Sequence, residues 1–304
     1  MLAILNSLVP IFLVIALGFT IRRKGFPGEE IWLPLDQLNY YVLFPALLLS
    51  TLATADLRSF DIWPMAFALA CGMFAMVGVL MLSKRFLPVS GPEFSSMFQA
   101  AARWNSFVAL ASIASLYGKQ GVTLAAVSVA VLVPLANILS VTVLTRYALN
   151  RRATPVELGK LLAKNPLILA CAAGIFLNAT GIGLPGPLAV TAKIIGEASL
   201  TLGLIAVGAG LRVSHVFEAK WIVLYTSALK LVLMPAMMMG FCFLFGVTGL
   251  PRLVILICAA VPGATSSYVL ARQLGGHMEL MSSLITGGTV LAVATMPLML
   301  WMFG

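Results

Sequence analysis

Long apolar segments separated by short polar or Gly/Pro-rich stretches run along the whole 304-residue chain. Many are about 20 residues long, the length at which an α-helix crosses the hydrocarbon core of a bilayer. Breaking the chain at its charged and Gly/Pro-rich stretches predicts ten membrane-spanning helices within a single transmembrane domain, residues 1–304. The predicted spans are residues 2–21, 31–54, 61–83, 95–117, 121–147, 160–178, 188–211, 219–246, 252–274 and 279–303.

The composition agrees with an all-α integral membrane protein. Hydrophobic residues make up 61% of the chain and charged residues 10%, whereas soluble proteins carry roughly 25% charged residues. A transmembrane β-barrel would instead show ~10-residue segments of alternating polarity. All four cysteines lie inside apolar segments without CxxC spacing, which is typical of packing residues. His215 and His277 are isolated from each other, so the sequence predicts no metal site.

The net charge of +9 is distributed unevenly between the predicted loops. If the N-terminus lies outside, thirteen of the 19 Lys and Arg residues fall in inside loops, and only Arg58, Lys119 and Arg252 fall in outside loops. Basic residues concentrate in cytoplasmic loops of membrane proteins. The charge therefore predicts a topology with both termini extracytoplasmic, and the partner it indicates is the lipid bilayer rather than nucleic acid.

The two halves of the chain, about 1–152 and 153–304, match each other at several points in the same order. The aligned segments are PIFLVIALGFTIRRKG (10–25) over PLILACAAGIFLNATG (166–181), and AARWNSFVALASIASLYG (101–118) over AAVPGATSSYVLARQLGG (259–276). Because each half holds five spans, an odd number, the second half enters the membrane inverted. Inverted repeats are an architecture of secondary transporters, in which the substrate site lies near the midplane between the repeats.

The fourth and ninth spans combine helix-breaking and polar residues at their centres. Proline removes a backbone donor and glycine adds backbone freedom, and an interrupted span is tolerated only where protein or a water-filled cavity satisfies its backbone. The N-termini of the resulting half-helices would attract an anion. The alternative is a plain proline kink whose hydroxyls bond to their own helix. The candidate substrate-binding residues here are Asn105, Ser106, Pro262, Gly263, Thr265 and Ser266.

Several segments, in order along nearly the whole chain, resemble a bacterial member of the auxin efflux carrier family. Besides the fourth and ninth spans they include LNYYVLFPALLLSTLA (38–53), VPLANILSVTVL (133–144) and GEASLTLGLIAVGAGLR (196–212). The resemblance implies two inverted five-helix repeats with crossed, broken helices 4 and 9, an architecture shared with bile-acid symporters and sodium/proton antiporters. It also implies elevator-type transport of organic anions across a bacterial cytoplasmic (inner) membrane.

The resemblance also assigns site residues. It places Asn105 at the fourth-span break and Pro262-Gly263 with Thr265 and Ser266 at the ninth in the substrate site. Asn137 in the fifth span matches the family's Pro/Asn feature, so it joins the candidate substrate-binding residues. The family usually has a proline shortly after the fourth-span Asn, and this chain reads FVALAS (107–112) instead. This departure predicts a less sharply broken fourth span.

Charged residues inside spans are costly and therefore candidates for function. Glu197 and Lys230 each lie about ten residues into a span, so they could pair near the midplane; Glu197 could instead pair with Lys193 or exchange a proton during transport. Arg103, just before the fourth-span break, either attracts an anionic substrate or extends to the membrane interface. Asp36 is either a favourable charge in the first turn of a helix or part of a coupling-ion site.

Taken together, these features predict a secondary active transporter that moves a small organic anion such as a carboxylate by elevator-type alternating access. The sequence has no P-loop, HExxH or GxSxG motif, so it predicts neither an enzyme nor a cofactor. The alternative is a sodium-coupled symporter or cation/proton antiporter of the same architecture. Such antiporters usually need paired carboxylates near the crossing, and the fourth and ninth spans contain none. The chain is compatible with assembly as a homodimer.

The predicted topology can be tested with reporter fusions. We expect a reporter that is active only outside the cytoplasm, such as alkaline phosphatase, to be active when fused after Gly304, because the C-terminus follows an even number of spans from an outside N-terminus. The same reporter fused after Arg152, in a predicted inside loop, is the control and should be inactive. The reverse pattern would contradict the assigned orientation.

Overall fold

The computed structural model describes residues 2–57, 60–213, 216 and 218–304. Arg58 and His215, which the sequence analysis assigned to an outside loop and to an isolated position, lie outside the described residues. All regular secondary structure in the described part is helical. The α-helices are α1 (Leu2–Arg23), α2 (Glu29–Leu38), α3 (Phe44–Ala53), α4 (Ile62–Ser83), α5 (Gly91–Ala102), α6 (Ser106–Tyr147), α7 (Pro155–Ala163), α8 (Pro166–Ala179), α9 (Gly186–Ala209), α10 (Lys220–Ala228), α11 (Met234–Leu244), α12 (Gly249–Ala260), α13 (Ser266–Gln273) and α14 (Met278–Phe303).

The structure confirms an all-helical, multi-pass membrane protein. By length and composition, six helical segments of the described residues could cross a membrane, or seven if α7 and α8, which meet at 65°, count as one span. Residues 91–147 are one of these six segments. This segment is nevertheless interrupted between α5 and α6 and again at Gly118, whose backbone is non-helical (φ 55°, ψ −146°). The ten-span inverted repeat stays a prediction.

Two of the predicted spans contain a π-helical turn between two α-helices. The turns are Asn39–Leu43, between α2 and α3, and Leu229–Leu233, between α10 and α11. Each ends two residues before a proline, Pro45 or Pro235. A proline ring collides with the carbonyl four residues earlier in an α-helix, and a wider π turn at that point relieves the collision.

Helices α1, α3, α8 and α9 pack closely against one another, and with α2 we call them the panel. Glycines allow the close approach: a Cβ on Gly18 would overlap the carbonyl oxygen of Ile205, and one on Gly208 would overlap that of Ile15. In lipid there is no hydrophobic driving force between helices, so their association depends on close packing, which small residues at the interface allow. Helices α1 and α9 of the panel therefore meet by direct backbone contact.

A buried polar pair adds a specific link within the panel. Asn39 donates from Nδ2 to the carbonyl of Ser199 at 3.1 Å, and the Ser199 hydroxyl donates back to Asn39 Oδ1 at 2.7 Å. Both residues are fully buried. Because neither group has water to bond in the bilayer, this reciprocal pair fixes the π turn of the second span against α9.

The remaining long helices, α4, α5, α6 and α10 to α14, pack into a second group that we call the core. Its main contacts join α6 to α12 and α5, and α11 to α4 and α12. Large apolar side chains such as Phe94, Phe98 and Met76 are fully buried inside it. The two interrupted helices, α5–α6 and α12–α13, both belong to the core, and their breaks meet where the core faces the panel.

Candidate substrate-binding site

The first break separates α5 from α6. Helix α5 ends at Ala102, Arg103 is extended (φ −86°, ψ 148°), and Asn105 caps α6 by accepting a hydrogen bond from the Val108 N–H at 3.2 Å. Asparagine is among the best N-cap residues because its side-chain oxygen satisfies a free N–H of the first turn. The fourth span is thus interrupted at residues 103–105 without a proline, and α5 and α6 are not bent sharply enough to count as separate spans.

The second break separates α12 from α13, and it is joined to the first. The N–H of Asn105 donates to the carbonyl of Pro262 at 2.9 Å. A Cβ on Gly263 would lie 2.8 Å from the carbonyl oxygen of Ala100, so only a glycine allows the two chains to approach this closely. Pro262 and Gly263 are therefore the joint between the broken helices, and both are buried.

The guanidinium of Arg103 bridges the two breaks. Its Nη1 donates to Asn137 Oδ1 at 2.9 Å and its Nη2 donates to Ser266 Oγ at 3.0 Å. Arginine keeps its charge in proteins, and no carboxylate of the described residues lies within ion-pairing distance of it. Arg103 is therefore directed into the crossing as a positive charge that no described side chain balances.

A cavity of about 80 Å³ lies at this crossing, between the core and the panel. It brings together most of the residues singled out in the sequence. Those on its wall are Asp36, Arg103, Asn105, Ser106, Asn137, Thr265 and Ser266. Pro262 and Gly263 lie behind the wall, where they hold the crossing together. The cavity is small beside the roughly 300–1,000 Å³ of drug-sized pockets.

Three consecutive residues on this wall carry buried donors that lack an acceptor. The atoms are Arg103 Nε, Trp104 Nε1 and Asn105 Nδ2, and none has a hydrogen-bond partner among the described residues. Leaving a buried donor unsatisfied costs roughly 1–3 kcal/mol. The N-termini of α6 and α13, which begin at Ser106 and Ser266, add positive dipole ends to the same wall. The wall is therefore suited to a ligand that brings negatively charged acceptor atoms.

Residues that the sequence analysis did not single out complete the wall. Tyr40, Phe44, Trp104 and Phe107 supply an aromatic surface, and the Phe44 and Phe107 rings lie 4.8 Å apart. Asn165 lines the cavity and also caps α8, accepting from the Leu167 N–H at 2.9 Å. The Asn165-Pro166 dipeptide before an apolar run is a helix-start signal that could have identified it; no sequence pattern places the aromatic residues.

The structure does not bring Glu197 and Lys230 together. Glu197 lies on the exposed face of α9, where its nearest charge is Lys193 at 3.8 Å. Lys230 is 3% exposed in the π turn between α10 and α11, and neither residue lines the cavity. The sequence placed the two residues at the same depth in the membrane, but their side chains lie on helix faces that do not meet.

A larger cavity of about 510 Å³, the vestibule, adjoins the first and shares Asp36 and Thr265 with it. It lies at the predicted cytoplasmic end of the panel, where Arg22 donates to Glu29 Oε1 at 3.0 Å and to the carbonyl of Ala209 at 2.7 Å. Hydrogen bonds from Arg22 lower the pKa of the Glu29 carboxyl. Arg212 and Arg272 also line the vestibule, so with Arg22 its described wall carries three basic residues against two carboxylates, Glu29 and Asp36.

The cap at the first break can be tested by stability measurements. Asn105→Ala should lower the free energy of unfolding by about 1 kcal/mol, because it removes the acceptor for the first turn of α6. Asn105→Ser keeps a side-chain oxygen at the cap and should stay close to the wild-type melting temperature. Thermal unfolding of both variants in detergent would check this. Equal destabilisation by the two substitutions would show that the cap is not what Asn105 contributes.

Comparisons with known proteins identify relatives among transporters. A family model described as membrane transport protein matches residues 153–300. An uncharacterized transporter from Methanothermobacter thermautotrophicus is 23% identical over 302 residues, which cover 96% of each chain. A segment of 59 residues, 19% of this chain and 17% of the relative, is 39% identical to the ileal sodium/bile acid cotransporter of Oryctolagus cuniculus.

Proposed function

Because residues 153–300 match a family model described as membrane transport protein and the sequence resembles the auxin efflux carriers, we propose that the chain is a secondary active transporter for a small organic anion such as a carboxylate. The observation that carries this proposal is the set of donors at the crossing. Arg103 Nε, Trp104 Nε1 and Asn105 Nδ2 are buried without an acceptor among the described residues, and no described carboxylate neutralises the Arg103 guanidinium. A carboxylate would supply both the acceptors and the charge.

The proposed transport cycle is a displacement of the core against the panel. Arg103, Asn105, Asn137 and Ser266 belong to the core, whereas Asp36 and the other panel residues form the opposite side of the cavity. An anion bound to core residues would therefore move with the core. This division supports an elevator-type motion within a ten-span, inverted-repeat architecture in the cytoplasmic membrane.

A sodium-coupled symporter is the second candidate. The segment similar to the ileal sodium/bile acid cotransporter favours it. Sodium would need a cluster of oxygen ligands, and the described wall offers one carboxylate, Asp36, and neutral hydroxyl and amide oxygens beside the Arg103 guanidinium, which repels a cation. The structure therefore gives stronger support to the anion than to the coupling ion, and a sodium gradient across liposomes decides between the two mechanisms.

Transport by reconstituted protein tests the proposal. We expect saturable uptake of a labelled carboxylate and its exchange with unlabelled carboxylate. Arg103→Gln should raise KM about 10- to 100-fold, because a charge-assisted contact contributes about 1.5–3 kcal/mol. Arg103→Lys should recover part of the loss, since it restores the charge but not the fork of donors.

The matched control is Arg85→Gln, an exposed arginine that lines neither the site nor the vestibule. It should leave KM unchanged. The proposal fails if wild-type protein moves no carboxylate under imposed potential, proton or sodium gradients. If uptake requires sodium at every potential, the symporter replaces the uncoupled carrier.

A further inference from the structure

The cavity at the crossing has one cation and one carboxylate on its described wall. Arg103 is the cation, and Asp36, from helix α2 of the panel, is the carboxylate. The Asp36 carboxylate makes no hydrogen bond or ion pair with a described side chain, and it is only half-buried. The wall therefore offers a ligand one positive charge, that of Arg103. The part of the ligand that extends away from Arg103 meets one negative charge, that of Asp36.

Asp36 also lines the vestibule, which adjoins the site on its predicted cytoplasmic side. A ligand that passes from the vestibule to the crossing must go by this carboxylate. The basic residues of the vestibule, including Arg212 and Arg272, attract anions of any charge. Glu29, the other carboxylate of the vestibule, is paired with Arg22 and Arg212, so Asp36 is the first carboxylate on that path without a described charged partner.

We propose that Asp36 is a specificity-determining residue that restricts the site to ligands with a single negative charge, so that monocarboxylates are accepted and dicarboxylates are rejected. This inference rests on the proposed function. One carboxylate of a ligand pairs with Arg103 on the cavity wall. A second carboxylate has no cation left on the described wall, and the small volume of the cavity, about 80 Å³, keeps it near Asp36.

Electrostatics sets the size of the expected effect. Two like charges roughly 8 Å apart, at an effective dielectric constant of about 20, weaken binding by about 30-fold. The remainder of the ligand meets the rings of Phe44, Trp104 and Phe107, which favour an apolar chain. The class of ligand that fits is a small monocarboxylate with an apolar tail.

Competition against uptake of a labelled monocarboxylate tests the inference with four-carbon probes. At a pH where both succinate carboxylates are ionised, butyrate should compete with wild-type uptake at least 10-fold more strongly than succinate. Butyramide, which is neutral, should not compete. Monomethyl succinate keeps the four-carbon backbone of succinate, adds one methyl group and carries one negative charge fewer, so it should compete nearly as well as butyrate.

Asp36→Asn removes the negative charge at nearly constant shape. It should reduce the ratio between the competition strengths of butyrate and succinate by about 10-fold or more. The control is Glu30→Gln on the same helix, an exposed carboxylate that lines neither cavity; its ratio should equal that of the wild type. The probes used on wild-type protein keep the inference testable if the Asp36 variant does not fold.

With the wild-type protein, either of two results would overturn the inference and leave the proposed function intact. In one, succinate competes as well as butyrate; in the other, monomethyl succinate competes as poorly as succinate. A butyrate-to-succinate ratio unchanged by Asp36→Asn would also overturn it. If wild-type protein transports no carboxylate at all, the proposed function itself fails, and this inference fails with it.

Discussion

A single backbone hydrogen bond, from the N–H of Asn105 to the carbonyl of Pro262 at 2.9 Å, joins the two broken helices. Inside a bilayer an interrupted helix leaves N–H and C=O groups that water cannot satisfy. Each break alone would leave unpaired backbone groups, at a cost in free energy; here a free N–H of the first break bonds to a free carbonyl of the second. Gly263 makes the contact possible because a side chain there would meet the backbone of α5.

The electrostatics of the site follow from this joint. Two helices begin at the crossing, so their positive ends face the same small cavity. Arg103 adds a full charge and is held by Asn137 of the fifth span and by Ser266 at the start of α13. A positive centre that is fixed within the core and faces the panel would bind an anion and carry it when the two groups of helices move against each other. The geometry of the joint and the proposed transport function are thus one arrangement.

The sequence predicted the elements that depend on local chemistry. Pro262 and Gly263 predict a break in an apolar span, and Asn105 followed by Ser106 is typical of the start of a helix. The pairing of the fourth and ninth spans brought both breaks to one place, and the structure joins them. The absent proline predicted a less sharply broken fourth span, and the capping Asn105 interrupts the helix there in place of a proline.

What the sequence could not supply depends on tertiary packing. Trp104, Phe44 and Asn165 line the cavity because of how the panel meets the core, and no periodicity of one helix contains that information. Glu197 and Lys230 share a depth along their spans but lie on unrelated faces, one exposed and one buried. Interruptions within a long helix, as at Gly118, are likewise not predicted by the length of an apolar segment.

The most direct test of the account is to locate a bound anion. Protein crystallised with a bromine-labelled monocarboxylate would show the ligand by anomalous scattering. The account predicts a signal inside the cavity at the crossing, with the carboxylate about 3 Å from the Arg103 guanidinium and the labelled tail against Phe44 and Phe107. A ligand found only in the vestibule, beside Arg212 and Arg272, or only outside both cavities, would contradict the claim that the joined breaks form the substrate site.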